Sequence, residues 1–416
     1  MRKMIDSGVE WLGAIPQDWD LVQIKSIASC KSEKSSYIGG AYIGLEHIES
    51  GSGKLLADGS QTGIEVDSTV SSFSDTDILF GKLRPYLAKV AKPNFDGQCS
   101  TEILVLNPSS RIQKDFLFWY LLNPVFIDAV NASTYGAKMP RANWDFIGSC
   151  YLPLPPMNMQ TVISSVLNEK FAQVDALISN VQAQIEKLKV YKQSLITEVV
   201  TKGIDPTVPM KDSGAGWIGE IPAHWDMKRG KTMFQESGAR SAGGSEELLT
   251  VSQYTGITPR SQKNVNMFEA LSLEGYKICN IGDIAANTMW MWAGAIGVSK
   301  YYGVISPSYN VYHQIGTTYH PQYLDYLLRI PPLVQCYESQ STGIRASRLR
   351  LYPQQFLNIC FPVPPLAEQE AIVAELESRC RKVDQLIVIK QKKIDKLNEY
   401  KKSLIYEYVT GKREVS

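Results

Sequence analysis

The sequence predicts an α+β protein in which two globular α/β domains are separated by two long helices that form an antiparallel coiled coil. Three observations carry this prediction: the chain contains an internal repeat, two segments have a heptad pattern, and the remainder mixes short strand and helix patterns. With 416 residues, 44% of them hydrophobic, the chain is long enough for two cores. The expected bounds are 1–152 for the first globular domain, 153–203 for the central helix, 204–360 for the second domain and 361–412 for the C-terminal helix.

The repeat relates two copies whose flanking segments, called the frame, are similar and whose central segments differ. Residues 6–20 read DSGVEWLGAIPQDWD and residues 212–226 read DSGAGWIGEIPAHWD, a match at nine of fifteen positions. The segments 152–200 and 361–409 match at 21 of 49 positions. Between them the halves diverge, with FGKLRPYLAKV where the second half has NTMWMWAGAIG. A repeated frame around different central segments indicates a pseudo-two-fold molecule whose two copies dock in the same way and recognise different targets. The alternative is an old duplication whose two sequences diverged without such a difference in function.

Each long helix follows a proline pair, which is a common helix start signal. About 42 residues at 1.5 Å each give a rod of roughly 60 Å, and one rod cannot bury its apolar seam alone. Antiparallel pairing of the two copies is the expected solution, and pairing between separate chains is the alternative. Gly203 and Gly411 are expected to cap the C-termini. The seam comprises Leu167, Phe171, Val174, Ile178, Val181, Ile185, Leu188, Leu195 and Val199 in the first copy, interrupted by Lys192, and Leu376, Cys380, Val383, Ile387, Ile394, Leu397, Leu404 and Tyr408 in the second, interrupted by Lys390 and Lys401.

Both globular segments contain short β-type runs, at 41–45 and 102–106 in the first and at 248–251 and 309–312 in the second. Three kinds of segment within them could contact DNA, because Arg and Lys suit guanine edges and phosphates and Tyr can stack or donate a hydrogen bond. Solvated surface charge is the alternative at any one position, and Trp290 and Trp292 are expected in the core. The candidates are Lys82, Arg84, Tyr86 and Lys89 in a basic run, Lys138, Arg141, Arg345, Arg348 and Arg350 in Gly-containing loops, and Ser252, Gln253, Tyr254 and Arg260 in a polar run.

Bulk properties exclude several classes of protein. With 43 basic and 42 acidic residues, any DNA-binding surface must be local or be completed by partners. Seven scattered cysteines without a CxxC pair indicate reduced thiols, hence a cytoplasmic protein and no zinc site. We expect no signal peptide or membrane span.

No catalytic set of residues is expected either. The string Asn123-Pro124-Val125-Phe126 lacks the second proline of an adenine methyltransferase loop, and no Gly-rich phosphate or S-adenosylmethionine loop is present.

Taken together, these strings resemble the specificity subunits of type I restriction-modification systems along nearly the whole chain. The resemblance is carried by the two repeated module starts, by KLRPYLAKV and SPSYNVY, by STGIRASRLRLYPQQF and by PPLAEQEAIVAEL. One departure is that the first helix opens PPMNMQ, without the acidic-glutamine start of PPLAEQ.

The resemblance implies two target-recognition domains that each read one half of a split, asymmetric DNA site. It implies a non-catalytic subunit with no cofactor of its own. Two methyltransferase subunits, with S-adenosylmethionine, and two ATP-dependent nuclease subunits, with ATP and Mg²⁺, would be its partners. Two other interpretations remain: a specificity domain fused to a methyltransferase or nuclease, and a solitary coiled-coil scaffold or DNA-binding regulator.

Overall fold

The computed structural model describes residues 2–31, 34–35, 41–56, 69–136, 138–263, 272–344 and 349–415. The chain forms two compact units. The first unit contains residues 1–182 and 391–416, and the second contains 183–390. Each unit therefore combines one globular module with part of both long helices.

The first module is built on short strands and three short helices. Its central sheet has the order β4-β11-β8-β9, and a second sheet, β5-β7-β10-β6, includes one parallel pair, β10 with β6. The elements are β1 Met4–Asp6, β2 Ala14–Pro16, β3 Asp20–Gln23, β4 Ala28–Lys31, β5 Lys34–Ser35, β6 Ala41–Ile43, β7 Val70–Phe73, β8 Ile78–Gly81, β9 Val90–Ala91, β10 Gly97–Ser100, β11 Ile103–Pro108, α1 Lys114–Leu121, α2 Pro124–Ala132, α3 Trp144–Ser149 and β12 Tyr151–Leu154.

The first long helix, α4, spans Met157–Lys202, and the second module follows it with the same plan. Its central sheet, β16-β23-β20-β21, corresponds strand for strand to that of the first module. The elements are β13 Met210–Asp212, β14 Glu220–Pro222, β15 Asp226–Arg229, β16 Phe234–Glu236, β17 Leu249–Ser252, β18 Gly256–Pro259, β19 Lys277–Cys279, β20 Ile284–Ala286, β21 Ile296–Val298, β22 Gly303–Ile305, β23 Asn310–Gln314, α5 Pro321–Leu327, α6 Pro331–Gln340, α7 Pro353–Asn358, β24 Cys360–Val363 and the second long helix α8 Leu366–Val409. The predicted fold class is confirmed.

Each module packs one large apolar cluster against the long helices of its own unit. In the first, helix α1 contributes a wholly buried run, and the Trp119 ring lies 4.4 Å from the Phe171 ring of α4. In the second, Tyr323 of α5 donates a hydrogen bond to the carbonyl oxygen of Val200 at 2.9 Å. Since burial of each large apolar side chain contributes about 1.5–3 kcal/mol, the helices and the module of one unit stabilise each other.

A buried aspartate occupies the same position in both modules. Asp77 accepts hydrogen bonds from the backbone of Ser74 and from the Lys31 ammonium. Burial raises the pKa of the Asp77 carboxyl, but the hydrogen bonds from Lys31 and Ser74 outweigh it, so the pKa lies below its ordinary value. Asp283 has the equivalent turn, with His313 as its partner at 2.5 Å. The aspartate therefore belongs to the shared frame.

The apolar seam of both long helices is buried or half-buried at every predicted position, whereas most intervening residues are exposed. In the second unit, Lys390 donates to Gln184 and Lys192 pairs with Asp384, so residue numbers rise along one helix as they fall along the other. The helices of that unit are therefore antiparallel. Gly203 and Gly411 end the two helices with positive φ angles of 76° and 70°, as predicted.

Two of the three lysines that interrupt the seam form matching ion pairs. Lys192 lies 2.7 Å from Asp384 in the second unit, and Lys401 lies 2.7 Å from Asp175 in the first. Lys401 also lies 4.6 Å above the Phe171 ring. The repeat aligns the two lysines with each other and the two aspartates with each other, so the two ion pairs occupy equivalent positions. Because a polar residue in an apolar seam tolerates few registers, these pairs fix how the helices align within each unit.

A buried glutamine joins each long helix to its module. The Gln369 amide donates to the carbonyl oxygens of Pro364 and Thr318 and accepts from the backbone of His320. Gln160 makes the equivalent contacts in the first unit, including one with the backbone of Gln113 at 2.8 Å. The acidic-glutamine start of the second helix is therefore only partly absent from the first, which keeps the glutamine and lacks the acidic residue.

The missing acidic residue changes the surroundings of one tryptophan. In the second unit, the Glu368 carboxylate accepts hydrogen bonds from Trp225 Nε1 at 3.0 Å and from His224. In the first unit Met159 replaces the glutamate, and the buried Trp19 Nε1 has no hydrogen-bond partner among the residues that the structure describes. A buried donor without a partner lowers the stability of the folded state.

We expect Met159→Gln to stabilise the first unit by about 1 kcal/mol, because the new amide oxygen can accept from Trp19 Nε1. Glutamate is the poorer replacement, since Asp18 occupies the place of His224 and would repel it. Urea unfolding measures the change, with Met159→Leu as the control that adds no acceptor. Equal midpoints for the Gln and Leu variants would contradict the prediction.

Candidate DNA interface

The loop between β8 and β9, residues 82–89, holds the strained backbone of the first module. Arg84 and Ala88 have φ angles of 51° and 47°, and among the described residues they are the non-glycine positions with positive φ. Such conformations persist only where the surroundings enforce them, and they concentrate at functional sites. The loop presents Arg84 and Tyr86 to solvent; the Tyr86 side chain is 52% exposed.

Contacts beneath the loop explain how this conformation is held. Pro85 is buried, and the backbone N–H of Arg84 donates to Pro140 at 2.8 Å. The Lys89 ammonium donates to the carbonyl oxygens of Leu45 and Ile48 at 2.6 and 2.8 Å. We therefore interpret Lys89 as a structural support for the loop. Lys82 is half-buried at the start of the loop, where its backbone pairs with neighbouring chain segments.

A second loop, described at residues 135–136 and 138–141, lies against the first. Arg141 forms β-bridges with both Leu83 and Tyr135, and its guanidinium binds the Glu102 carboxylate at 3.0 and 3.1 Å. The hydrogen bond that Arg141 donates to the Glu102 carboxylate raises the pKa of Arg141. Arg141 thus ties the two loops together, whereas Lys138 is exposed beside them. We define the first reader surface as Arg84, Tyr86, Tyr135, Lys138 and Met139, all exposed.

The second module replaces the strained loop with an aromatic one. Residues 287–295 also connect two central strands through a 3-10 turn, so Trp290 occupies the place of Arg84 and Trp292 that of Tyr86. The expectation that Trp290 lies in the core is wrong: it is 50% exposed and stacks on Trp292 with ring centroids 5.8 Å apart. Trp292 is half-buried. The repeat alignment was the signal that could have identified this loop.

The other candidates of the second module lie in three places. Ser252 ends β17, and Gln253 and Tyr254 lie in the turn to β18, where the Arg329 guanidinium donates to the carbonyl oxygen of Tyr254 at 2.7 Å. Tyr254 is 81% exposed. Arg260 and Arg350 are half-buried, and Arg350 pairs with Thr342 through a β-bridge. Arg345 and Arg348 lie outside the described residues.

Each unit also has a cleft between its module and its helices. The cleft of the first unit, about 540 Å³, is lined by Tyr86 and Lys402. That of the second, about 1330 Å³, is lined by Gln253, Tyr254 and Arg381. Candidate side chains of both modules thus border a cleft beside the helices of the same unit.

The groups that could suggest catalysis have structural explanations. Asn123 caps helix α2, accepting from the Val125 backbone, with Pro124 at the first helical position. Burial raises the pKa of the Cys99 and Cys279 thiols to about 12, which keeps them protonated and poorly nucleophilic at neutral pH. Over the part of the chain that the structure describes, no cluster of three His, Cys, Asp or Glu residues could hold a metal ion. Nor does any described helix combine the length and apolar character needed to cross a bilayer.

Comparisons with known proteins agree with this architecture. Residues 16–187 match the family described as the type I restriction modification DNA specificity domain. The type I restriction enzyme EcoDI specificity subunit of Escherichia coli is 30% identical over 192 residues, 45% of this chain and 42% of that subunit. The MjaVIII specificity subunit of Methanocaldococcus jannaschii is 23% identical over 96% of this chain and 94% of its own length.

Solved structures share the fold. A chain from a study of complex assembly and conformational transition of the type I R-M system aligns with a TM-score of 0.68, 18% identity and coverage of 96% of this chain and 99% of that one. The HsdS subunit from Thermoanaerobacter tengcongensis aligns with a TM-score of 0.51, 17% identity and coverage of 98% and 100%. Residues 16–187 thus match the type I restriction modification DNA specificity domain, and over nearly its whole length the chain is similar to type I restriction enzyme specificity subunits.

Proposed function

We propose that this chain reads a bipartite, asymmetric DNA sequence, with one reader in each unit, and positions the catalytic subunits of a restriction-modification complex on it. One observation carries the proposal. The two modules share their frame, including a buried aspartate and a buried glutamine. The loop at the equivalent position, however, exposes Arg84 in one module and Trp290 in the other. Shared frames suit identical partners, and unlike loops suit different bases.

The partners supply the chemistry in this proposal. Two methyltransferase subunits, with S-adenosylmethionine, would modify adenines, and two ATP-dependent nuclease subunits, with ATP and Mg²⁺, would cut unmodified DNA. The chain itself contributes recognition only. Its formal net charge of +1 fits this division, because the partners would share the contacts that neutralise DNA phosphates.

Co-expression with a methyltransferase subunit tests the proposal. The assembled complex should methylate adenines in one split sequence motif, which mapping of modified adenines in DNA would identify. The chain alone should neither methylate nor cut DNA. Methyl transfer from labelled S-adenosylmethionine by a verified partner-free preparation would overturn the non-catalytic assignment. Modification without a split motif would overturn the bipartite one.

We expect Arg84→Ala to relax the first half-site and to weaken specific binding by about 1–3 kcal/mol, the range for a bidentate arginine–guanine contact. The reason is that the Arg84 side chain is exposed and makes no ion pair with any described residue. Binding to duplexes that vary one base pair at a time measures the effect. Lys25→Ala, which also removes an exposed cation of the first module, should leave specificity unchanged.

Arg141→Ala provides a contrast, because its guanidinium is already bound to Glu102. This variant should lower the thermal stability of the first unit together with its DNA affinity, whereas Arg84→Ala should leave stability unchanged. If Arg84→Ala altered neither affinity nor specificity, the loop would be the wrong surface.

A further inference from the structure

The stacked Trp290 and Trp292 of the second module lie on a rigid turn. Backbone hydrogen bonds join Asn287 to Ala295 at 2.9 Å and Trp290 to Asn287 at 2.9 Å. The Asn287 side chain donates to the Tyr309 hydroxyl at 2.8 Å and accepts from the backbone of Met289. Buried Met291 anchors the turn in the core. These contacts hold the turn in one conformation and keep the Trp290 ring exposed to solvent.

The end of the turn is equally constrained. Gly294 has a positive φ of 85°, and a Cβ atom there would come within 3.1 Å of the Val334 side chain on α6. The Trp292 indole N–H donates to the carbonyl oxygen of Met289 at 3.0 Å, which fixes the ring beneath Trp290. Because large aromatic side chains are normally buried, a rigid loop that displays one indicates a binding role.

The side chains that this surface exposes are apolar except for the indole N–H of Trp290. Met289 and Trp290 are 40% and 50% exposed, and the N–H donor of Trp292 is used within the loop. In the first module the equivalent loop offers a guanidinium and a phenol, groups that bind the polar edges of bases. In the major groove, the apolar group on a base edge is the 5-methyl group of thymine. The loop is therefore suited to an A·T pair.

We propose that the Trp290–Trp292 pair determines specificity by packing on a thymine methyl group in the second half-site. This inference rests on the proposed function, since it assigns a base to one of its two readers. Trp290 makes the contact, and Trp292 is a positioning residue that holds the Trp290 ring.

Thymine-to-uracil substitution tests the contact, because it removes only the methyl group. Once the split motif has been mapped, each thymine of the second half-site is replaced in turn in duplex DNA bound by the assembled complex. One replacement should weaken binding by the wild-type complex about fourfold, as expected for loss of one buried methyl group. Trp290→Ala should bind the thymine and uracil duplexes equally, while Trp290→Phe should retain a preference for thymine.

Two controls separate this result from a folding defect. Recognition of the first half-site in the same complex should be unchanged in both Trp290 variants. Tyr302→Ala, which removes another half-exposed aromatic ring from the second module, should keep the full thymine preference.

A wild-type complex insensitive to every uracil replacement would overturn the inference. A thymine preference that survives in Trp290→Ala, or a second half-site without A·T pairs, would do the same. These results leave the bipartite reader intact. Absence of any split motif would instead refute the proposed function, and the inference with it.

Discussion

Replacing residues 21–150 with the corresponding segment of a type I restriction enzyme specificity subunit is expected to change one half of the recognised DNA sequence and to leave the other half unchanged. The replaced segment includes the first reader surface and most of its own hydrophobic cluster. The second reader lies in a unit with a separate core. A complete change of one half-site is a larger effect than any single substitution should produce.

The junctions of this exchange fall at the pairing of β3 with β12, where Val22 opposes Leu152. Backbone hydrogen bonds between these strands do not depend on side-chain identity, but Leu152 is fully buried. The donor segment should therefore keep an apolar residue at position 22. Adenine mapping of the exchanged complex gives the result. Altered bases in both half-sites would contradict independent reading.

Loss of the buried glutamine of the second unit is expected to have the largest effect on stability. Gln369→Leu removes an amide that makes three hydrogen bonds, and it leaves backbone groups of Pro364, Thr318 and His320 without partners. Because each unsatisfied buried group costs about 1–3 kcal/mol, we expect a loss of at least about 3 kcal/mol. Recognition of the second half-site should fail before that of the first.

Gln385→Leu is the matched control, since it makes the same change on the exposed face of the same helix. Its free energy of unfolding should stay within about 0.5 kcal/mol of the wild-type value. Urea unfolding, together with hydrogen exchange at α5, distinguishes the two variants. Equal stability of the Gln369 and Gln385 variants would show that the glutamine does not hold the module to the helix.

The sequence predicted structural features correctly where its residue pattern is periodic or repeated. The heptad seam identified which residues of α4 and α8 are buried, because helix geometry places every third and fourth residue on one face. Comparison of the two halves located the loops that differ, at 80–90 and 287–297. The terminal glycines followed from the same local rules. None of these predictions needed knowledge of distant contacts.

Residue chemistry alone could not separate candidates within one loop. Lys89 and Arg84 look equivalent in sequence, yet the Lys89 ammonium is bound to two carbonyl oxygens whereas the Arg84 side chain is exposed. Arg141 looks like a base reader, but Glu102, 39 positions earlier, holds its guanidinium. Such assignments depend on residues that folding brings close from elsewhere in the chain.

By itself, therefore, the sequence determined the two modules, the two long helices, their seam and the loops that differ, since these follow from patterns along the chain. The tertiary structure decided which side chains of those loops face solvent. It also showed that Lys192 and Lys401 pair with Asp384 and Asp175, and that Trp290 is displayed outside the core. The physical reason is that burial and ion pairing are set by neighbours in space, and the strand pairing of each module brings together residues far apart in sequence.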